Sequence, residues 1–477
     1  MDAFDLVVIG SGPAGEKAAA LAAYFGKRVA LVERDHRPGG APVNRGGIPT
    51  KTLREAALYL TGYRRRDLYG VGLELSPGFA LGRLRARARE VSATAADAVR
   101  ANVERHGIEL VRGRATLAAD RIVRVTGVDG ATRALSGTFV LLATGSRPFH
   151  PAAIPFDDPD VHDSDTVLEL AALPASLVII GAGPVGCEYA SIFSTLGAEV
   201  TLIDGAERLL PLLDAELSAL VQQAFADMGI EVLLSSPGAR VDRTGAGLRV
   251  TLASGAALAP SAVLFAAGRA GNTEGLGLAE AGVELDERGR IKVDEHFRTS
   301  VAGVYAAGDV IGPPALASVS AEQGRIAACH AFEVPFELAL DWLPPVGIYA
   351  IPEVGMVGLT EEAAAAAGID YAVGRSAFAD NARSQIAGTT DGVLKLVFDR
   401  GDRRLLGVHI VGEDAAELVH IGQAAIHGEA TIDRLVQTTF NLPTRGEAYK
   451  YAAYDGLQQL AGRTIPPRAR SATPTPA

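Results

Sequence analysis

The stretch DLVVIGSGPAGEKAAALAAYFGKRVALVER, Asp5 to Arg34, decides the fold. Leu6 to Ile9 form a short apolar run, which predicts a buried strand. Gly10-Ser11-Gly12-Pro13-Ala14-Gly15 comes next, then an alanine-rich helical run, then a second strand with Glu33 at its end. A strand, a glycine turn, a helix and a strand closed by an acid about twenty residues on is the pattern that binds a dinucleotide. The glycines permit a tight turn and let main-chain N–H groups approach a pyrophosphate at the helix N-terminus. The acid can accept a hydrogen bond from a ribose hydroxyl.

The pattern recurs in SLVIIGAGPVGCEYASIFSTLGAEVTLID, Ser176 to Asp204, with Gly181, Gly183 and Gly186 in the turn and Asp204 closing the strand. Two complete fingerprints imply two bound dinucleotides. Between them FVLLATGSRP is a buried strand running into Ala143-Thr144-Gly145. Later, VLFAAGRAGN repeats that ending around Gly268, and GVYAAGDV places Gly308 and Asp309 just past a short strand. The order predicts one nucleotide domain interrupted by another: residues 1–150 and 271–341 enclose 151–270.

From about Trp342 the character changes. GIYAIPEVGMVGLT, GVLKLVFD and LLGVHIVG read as strands, and DAAELVHIGQAAIH and EAYKYAAYDGLQQL as helices. They predict a third, α+β unit over 342–464 without a phosphate-binding turn. The segment 465–477 holds four prolines and no aromatic residue, and reads as an unpacked tail. The predicted fold class is α/β, with two Rossmann-like dinucleotide-binding domains and a C-terminal α+β domain.

Composition narrows the function. With 45 basic and 56 acidic residues the formal charge is −11, which disfavours nucleic acid or an anionic membrane as partner. No apolar run reaches the length of a spanning helix. FDLVVIG already reads as a structural strand, so no signal peptide is expected and the cytoplasm is the expected compartment. The two cysteines, Cys187 and Cys329, fit no zinc or C-x-x-C pattern and read as small core residues. The histidines are scattered, and no metal is expected.

The two glycine turns, GGAPVNRGGIPTK (Gly39 to Lys51), ATGSRP, AAGRAGN, YAAGDV and NLPTRGE together resemble the FAD-dependent pyridine nucleotide–disulfide oxidoreductases, over roughly residues 4 to 462. The resemblance implies FAD on Gly10, Gly12, Pro13, Ala14 and Gly15, with Glu33 on its ribose and Arg114 and Ala115 bordering its adenine. Gly40, Ala41, Ala143, Thr144, Gly145, Gly308, Asp309 and Ala317 complete the expected FAD site. NAD(H) or NADP(H) is expected on Gly181, Gly183, Gly186, Glu188, Asp204, Arg208 and Gly268. Lys51 takes the position of the lysine beside flavin N5, and Glu188 that of its partner. Glu447 is the remaining candidate catalytic residue. The C-terminal unit is implied to be a dimerisation domain, so a homodimer or larger homo-oligomer is expected.

The chain departs from that family at three chemical positions. Two redox cysteines are replaced by Pro42 and Gly47, and the thiol-managing histidine by Leu442. Dithiol exchange needs those groups, so it is excluded. The nicotinamide face is then the working one. GAGPVGCEYASIF, LASVSAEQGRIAA, AAELVHIGQA and TTFNLPTRGEAYKYAA resemble the transhydrogenase branch, which moves hydride between NAD(P)H and NAD(P)+ in two half-reactions. Two alternatives stand beside it: a dehydrogenase or diaphorase passing electrons to a quinone, a dye or oxygen, and a flavin-bound subunit without turnover. Asp204 favours the free 2′-hydroxyl of NAD over the 2′-phosphate of NADP, and Arg208 partly offsets that preference.

Overall fold

The computed structural model describes residues 1–62, 81–334 and 343–463. The predicted tail and the Trp342 boundary lie outside the described residues. These residues form two compact units: 1–62, 81–210, 222–334 and 343–344 make one, and 211–221 with 345–463 the other.

The first unit opens with β1 (Asp2–Ile9), α1 (Pro13–Tyr24), β2 (Val29–Glu33), α2 (Gly40–Asn44), α3 (Ile48–Thr61) and α4 (Gly82–Arg105). Then come β3 (Glu109–Arg112), β4 (Arg114–Leu117), β5 (Ile122–Thr126), β6 (Thr132–Leu142) and β7 (Ser146–Pro148). Next are β8 (Val161–Asp163), β9 (Ser176–Ile180), α5 (Pro184–Leu196), β10 (Glu199–Ile203) and β11 (Glu231–Leu233). A small antiparallel sheet of β12 (Arg240–Thr244), β13 (Gly247–Thr251) and β14 (Ala257–Leu258) precedes β15 (Ala262–Phe265), β16 (Arg269–Gly271), β17 (Val304–Ala306) and α6 (Ala317–Ala331).

One sheet runs β3-β2-β1-β6-β5-β4 and the other β11-β10-β9-β15-β8. In the first, β1, β2, β3 and β6 are parallel, and β1 is buried continuously from Leu6 to Ile9 rather than alternately. Parallel strands covered on both faces need such unbroken apolar runs. The long strand β6 serves two neighbours on one edge. Its first half, Thr132 to Ser136, pairs antiparallel with β5, and its end, Val140 to Leu142, pairs parallel with β17. The chain thus returns to the first sheet after completing the second. Helices α1 and α6 meet closely at Gly324, where a Cβ would lie 2.1 Å from the Ala14 carbonyl oxygen.

The second unit carries the antiparallel sheet β18-β19-β22-β21-β20, made of β18 (Val346–Ile348), β19 (Val354–Gly358), β20 (Tyr371–Ala377), β21 (Val393–Asp399) and β22 (Leu405–Val411). The predicted single strand in GIYAIPEVGMVGLT is two strands folded on one another. Pro352 has no N–H for a ladder, and the chain turns there. Arg375, Lys395 and His409 stand side by side across this sheet. Segment 211–221 brings acids to that basic row. Lys395 is fully buried and its ammonium meets Asp214 Oδ1 at 2.8 Å, Glu216 Oε2 at 2.9 Å and Glu361 Oε1.

Candidate active site

Each glycine of the first turn meets a different demand. Gly10 has φ +104°, and a Cβ there would lie 2.3 Å from the Ala143 carbonyl oxygen. A Cβ at Gly15 would lie 1.9 Å from the Gly10 oxygen, so the third glycine lets the helix sit against the strand. At Gly12 a Cβ would meet nothing closer than Gly40 Cα, at 3.9 Å. The second turn repeats the scheme. Gly181 has φ +113°, a Cβ at Gly186 would lie 1.8 Å from Gly181 O, and one at Gly183 would meet nothing within 4 Å. The middle glycines therefore line open space that a side chain would fill, as close pyrophosphate approach requires.

The helices that follow start at Pro13 and Pro184, which give up only an N–H that has no helical partner at that position. Neither N-terminus carries a side-chain cap. An anionic pyrophosphate suits both, through the free first-turn N–H groups and the helix dipole.

The two strand-end acids first brace their own turns. Glu33 Oε2 accepts from Ser11 N at 3.0 Å and Ser11 Oγ at 2.5 Å, while Oε1 accepts from Asp35 N at 2.8 Å. Asp204 Oδ2 accepts from Ala182 N at 2.5 Å and Oδ1 from Ala206 N at 2.8 Å. A carboxylate offers about four acceptor positions, so lone pairs remain for a ribose hydroxyl. Arg208 is half-buried four residues beyond Asp204. Exposed Arg114 and buried Ala115 lie on β4, directly after Gly113, whose N–H donates to the Glu33 carbonyl at 3.0 Å.

The remaining FAD candidates converge on the same sheet. Gly40 approaches the first turn so closely that a Cβ would lie 2.8 Å from Gly12 Cα; half-buried Ala41 follows it. Gly308 has φ +81° and donates its N–H to Gln323 Oε1 at 2.8 Å, on the helix that begins at Ala317. Asp309 Oδ2 accepts from Ser146 Oγ at 2.7 Å. Ala143-Thr144-Gly145 is latched to Asn272: Thr144 Oγ1 donates to Asn272 O at 2.8 Å, Asn272 Nδ2 to Thr144 O at 2.9 Å, and Asn272 N to Gly145 O at 2.9 Å. Gly268, at φ +116°, lies on the connection from β15 to β16. The roles of Ser11, Ser146 and Asn272 escaped the sequence reading, although all three stand inside the quoted motifs.

Lys51 on α3 and Glu188 on α5 come together, Nζ to Oε2 at 2.7 Å. The glutamate side chain is only 9% exposed and the lysine 31%. Glu447 belongs to the second unit, half-buried in a short 3-10 turn, and Leu442 before it is exposed. At the missing thiols, a Cβ on Gly47 would lie 2.3 Å from the Pro42 carbonyl oxygen. Position 47 has no room for any side chain as the loop stands. Cys187 and Cys329 are both buried and unpaired, and burial pushes both thiols above their ordinary range.

The folds and the paired turns define a two-dinucleotide flavoprotein of the oxidoreductase class. The model of the pyridine nucleotide-disulphide oxidoreductase family matches residues 4–324, and that of its dimerisation domain matches 344–453; the chain belongs to this family. It is 43% identical over 463 residues to the soluble pyridine nucleotide transhydrogenase of Mycobacterium tuberculosis (strain ATCC 25177 / H37Ra), covering 96% of this chain and 98% of the relative. It is 40% identical over 460 residues to the protein of that name from Pseudomonas putida (strain W619), covering 96% and 99%. Among solved structures, LpdA from Mycobacterium tuberculosis superposes with a TM-score of 0.87 at 29% identity, covering 95% of this chain and 99% of LpdA. The Cu(II) complex of the HOCl-induced flavoprotein disulfide reductase RclA from Escherichia coli gives 0.85 at 27% identity, covering 95% and 99%.

Proposed function

We infer that this chain is an FAD-dependent transhydrogenase that moves a hydride from NAD(P)H to NAD(P)+. The observation that carries this is the pair of open, uncapped glycine turns in a chain about as long as the transhydrogenases it matches. Bound FAD supplies the two-electron acceptor and donor.

The chain's own residues bind, orient and close. Gly10 to Gly15 and the α1 N-terminus hold the FAD pyrophosphate, with Glu33 on the ribose and Asp309 on the ribityl side. Gly40, Ala41, Arg114, Ala115, the segment Ala143 to Gly145, Gly308 and Ala317 border the same cofactor. Gly181, Gly183, Gly186 and the α5 N-terminus hold the nicotinamide dinucleotide, with Gly268 beside that turn. Lys51 places a positive charge at the flavin N5 side, and Glu188 neutralises the lysine in a setting that would otherwise penalise it. Glu447 acts from the dimerisation domain. Pro42, Gly47 and Leu442 leave no route for electrons through thiols.

The second unit makes the protein a homo-oligomer, and we propose a homodimer. We assign 1–150 with 271–341 to FAD, 151–270 to the nicotinamide dinucleotide and 342–464 to dimerisation, and place the protein in the cytoplasm. A quinone acceptor is the second reading, favoured by Asp204, whose charge suits NADH. The test is anaerobic stopped-flow: reduce the yellow protein with NADH, then offer NADP+, a quinone or oxygen. Fast reoxidation by NADP+ supports transhydrogenation; reoxidation by the quinone alone overturns it.

A further inference from the structure

Arg45 stands between the two positions that lost their thiols. Its Nη1 donates to Asp165 Oδ2 at 2.7 Å, and its Nη2 lies 3.4 Å from Asp35 Oδ2. The Asp165 side chain is 14% exposed, and its other oxygen, Oδ1, is buried with no hydrogen-bond partner among the described residues. The guanidinium is thus the side-chain contact that compensates this carboxylate, and the bond to Asp165 raises the affinity of Arg45 for its proton. Asp165 sits in a turn fixed by Asp163, whose Oδ1 accepts the N–H groups of Asp165 and Thr166 at 2.9 and 2.8 Å.

The neighbouring residues close a ring. Ser164, adjacent to Asp165, accepts the Tyr189 hydroxyl on its carbonyl at 2.9 Å. Tyr189 is 1% exposed and follows Glu188 on α5. Glu188 holds Lys51 at 2.7 Å, and Lys51 lies on the helix that begins just after the Arg45 loop. The circuit therefore runs Arg45, Asp165, Ser164, Tyr189, Glu188, Lys51 and back along the chain to Arg45.

We propose that Arg45 is a positioning residue: through Asp165 it braces the thiol-free loop and fixes the Lys51–Glu188 pair. The family disulfide would cross-link the same loop at positions 42 and 47. Here a charged bridge to the turn after β8 restrains it from outside. The inference rests on Lys51 acting beside the flavin, as proposed above.

The test uses the FAD-loaded protein with Arg45→Ala, Arg45→Lys, Lys51→Ala and the Arg45→Ala/Lys51→Ala double variant. Displacing a catalytic group by about 1 Å costs up to roughly a hundredfold. Arg45→Ala is expected to slow flavin bleaching by NADH at least about tenfold, with the KM for NADH within about twofold. Arg45→Lys should recover part of the rate. In the Lys51→Ala background Arg45→Ala should add little, because residues acting through one another are not additive. Independently of turnover, amides of residues 40–48 should exchange faster in Arg45→Ala while FAD content stays at the wild-type level. If Lys51→Ala slows bleaching but Arg45→Ala changes neither rate nor amide exchange, the brace is refuted and the reading of Lys51 survives. If Lys51→Ala itself is without effect, the reading of Lys51 falls, and with it the brace.

Discussion

Ala182 donates its main-chain N–H to Asp204 Oδ2 at 2.5 Å, across the second glycine turn. The acid pins the turn, and we propose that it also presents charge to the ribose of the dinucleotide. NADH offers a hydroxyl there and NADPH a phosphate. Like charges a few ångströms apart repel, with partial screening at a solvated rim. The KM for NADH is expected below that for NADPH. Asp204→Asn should narrow the gap mainly by improving NADPH binding, and added salt should favour NADPH in the wild type. A wild-type preference for NADPH, or an unchanged preference in Asp204→Asn, would show that Asp204 does not read the ribose.

Lys51 and Glu188 should fail together. Lys51→Ala removes the charge, and Glu188→Ala leaves a half-buried ammonium without its carboxylate. Each is expected to slow reduction by NADH by about tenfold to a thousandfold. Stopped-flow absorbance of the flavin band is the measurement, and full rates in both variants would contradict the assignment.

Restoring cysteines should not restore thiol chemistry. A Cβ at position 47 meets the Pro42 backbone at 2.3 Å, so Pro42→Cys/Gly47→Cys must first reopen the loop. Gly47→Ala alone should lower stability by about 1–3 kcal/mol, the usual cost of overpacking. The double variant is expected to show no lipoamide or glutathione disulfide turnover. Alkylating reagents should leave the wild-type rate intact, since Cys187 and Cys329 are buried. Efficient disulfide reduction by either protein would count against this account.

Lys395 supplies a stability prediction. Burial alone would lower the affinity of its ammonium for the proton, but hydrogen bonds to Asp214, Glu361 and Glu216 override that and raise it above the ordinary 10.5. For Asp214, burial works to raise the carboxyl, but the bond from Lys395, the Glu361 N–H and the lysine's charge together outweigh it, holding the group below 3.8. A raised base contributes fully below its unfolded value and fades as pH climbs through the folded one; a depressed acid contributes above its unfolded value and fades as pH drops. The network is therefore worth most between the carboxylate range and pH 10.5, and stability should decline at both ends. Lys395→Met leaves the buried Asp214 carboxylate without its ammonium and should cost about 3–5 kcal/mol in urea titrations at neutral pH. A loss below about 1 kcal/mol, the scale of a surface pair, would mean that the network is not a buried bridge in solution.

Much of the first unit was legible because its demands are local. Gly15 and Gly186 are required by contacts within their own turns, with Gly10 O and Gly181 O, so their spacing reports them directly; Gly10 and Gly181 also make way for Ala143 and Ala266, which are distant in sequence. Glu33 and Asp204 were readable as strand-end acids, but not their bonds to Ser11 and Ala182, which depend on the turn's three-dimensional closure. Arg45 and Asp165 are 120 positions apart and belong to no motif. Lys395 reads as one polar residue in a strand; only cross-strand register sets it between Arg375 and His409 and calls for acids from residues 214–216. The split of GIYAIPEVGMVGLT was readable in principle from Pro352.

β7 and β16 lie antiparallel, Ser146 opposite Gly271 and Pro148 opposite Arg269. The whole stretch between them, including the second sheet, thus departs and comes back through adjoining strands. Its two ends are already where a short hairpin would put them. Such a stretch can be lengthened or exchanged without re-threading the sheet around β1 and β6, so long as residues 211–221, which carry Asp214 and Glu216 to Lys395, are kept. This junction bounds the stretch we assign to the nicotinamide dinucleotide, and it is the natural seam for chimeras in which a different reader of the ribose is spliced onto the same frame.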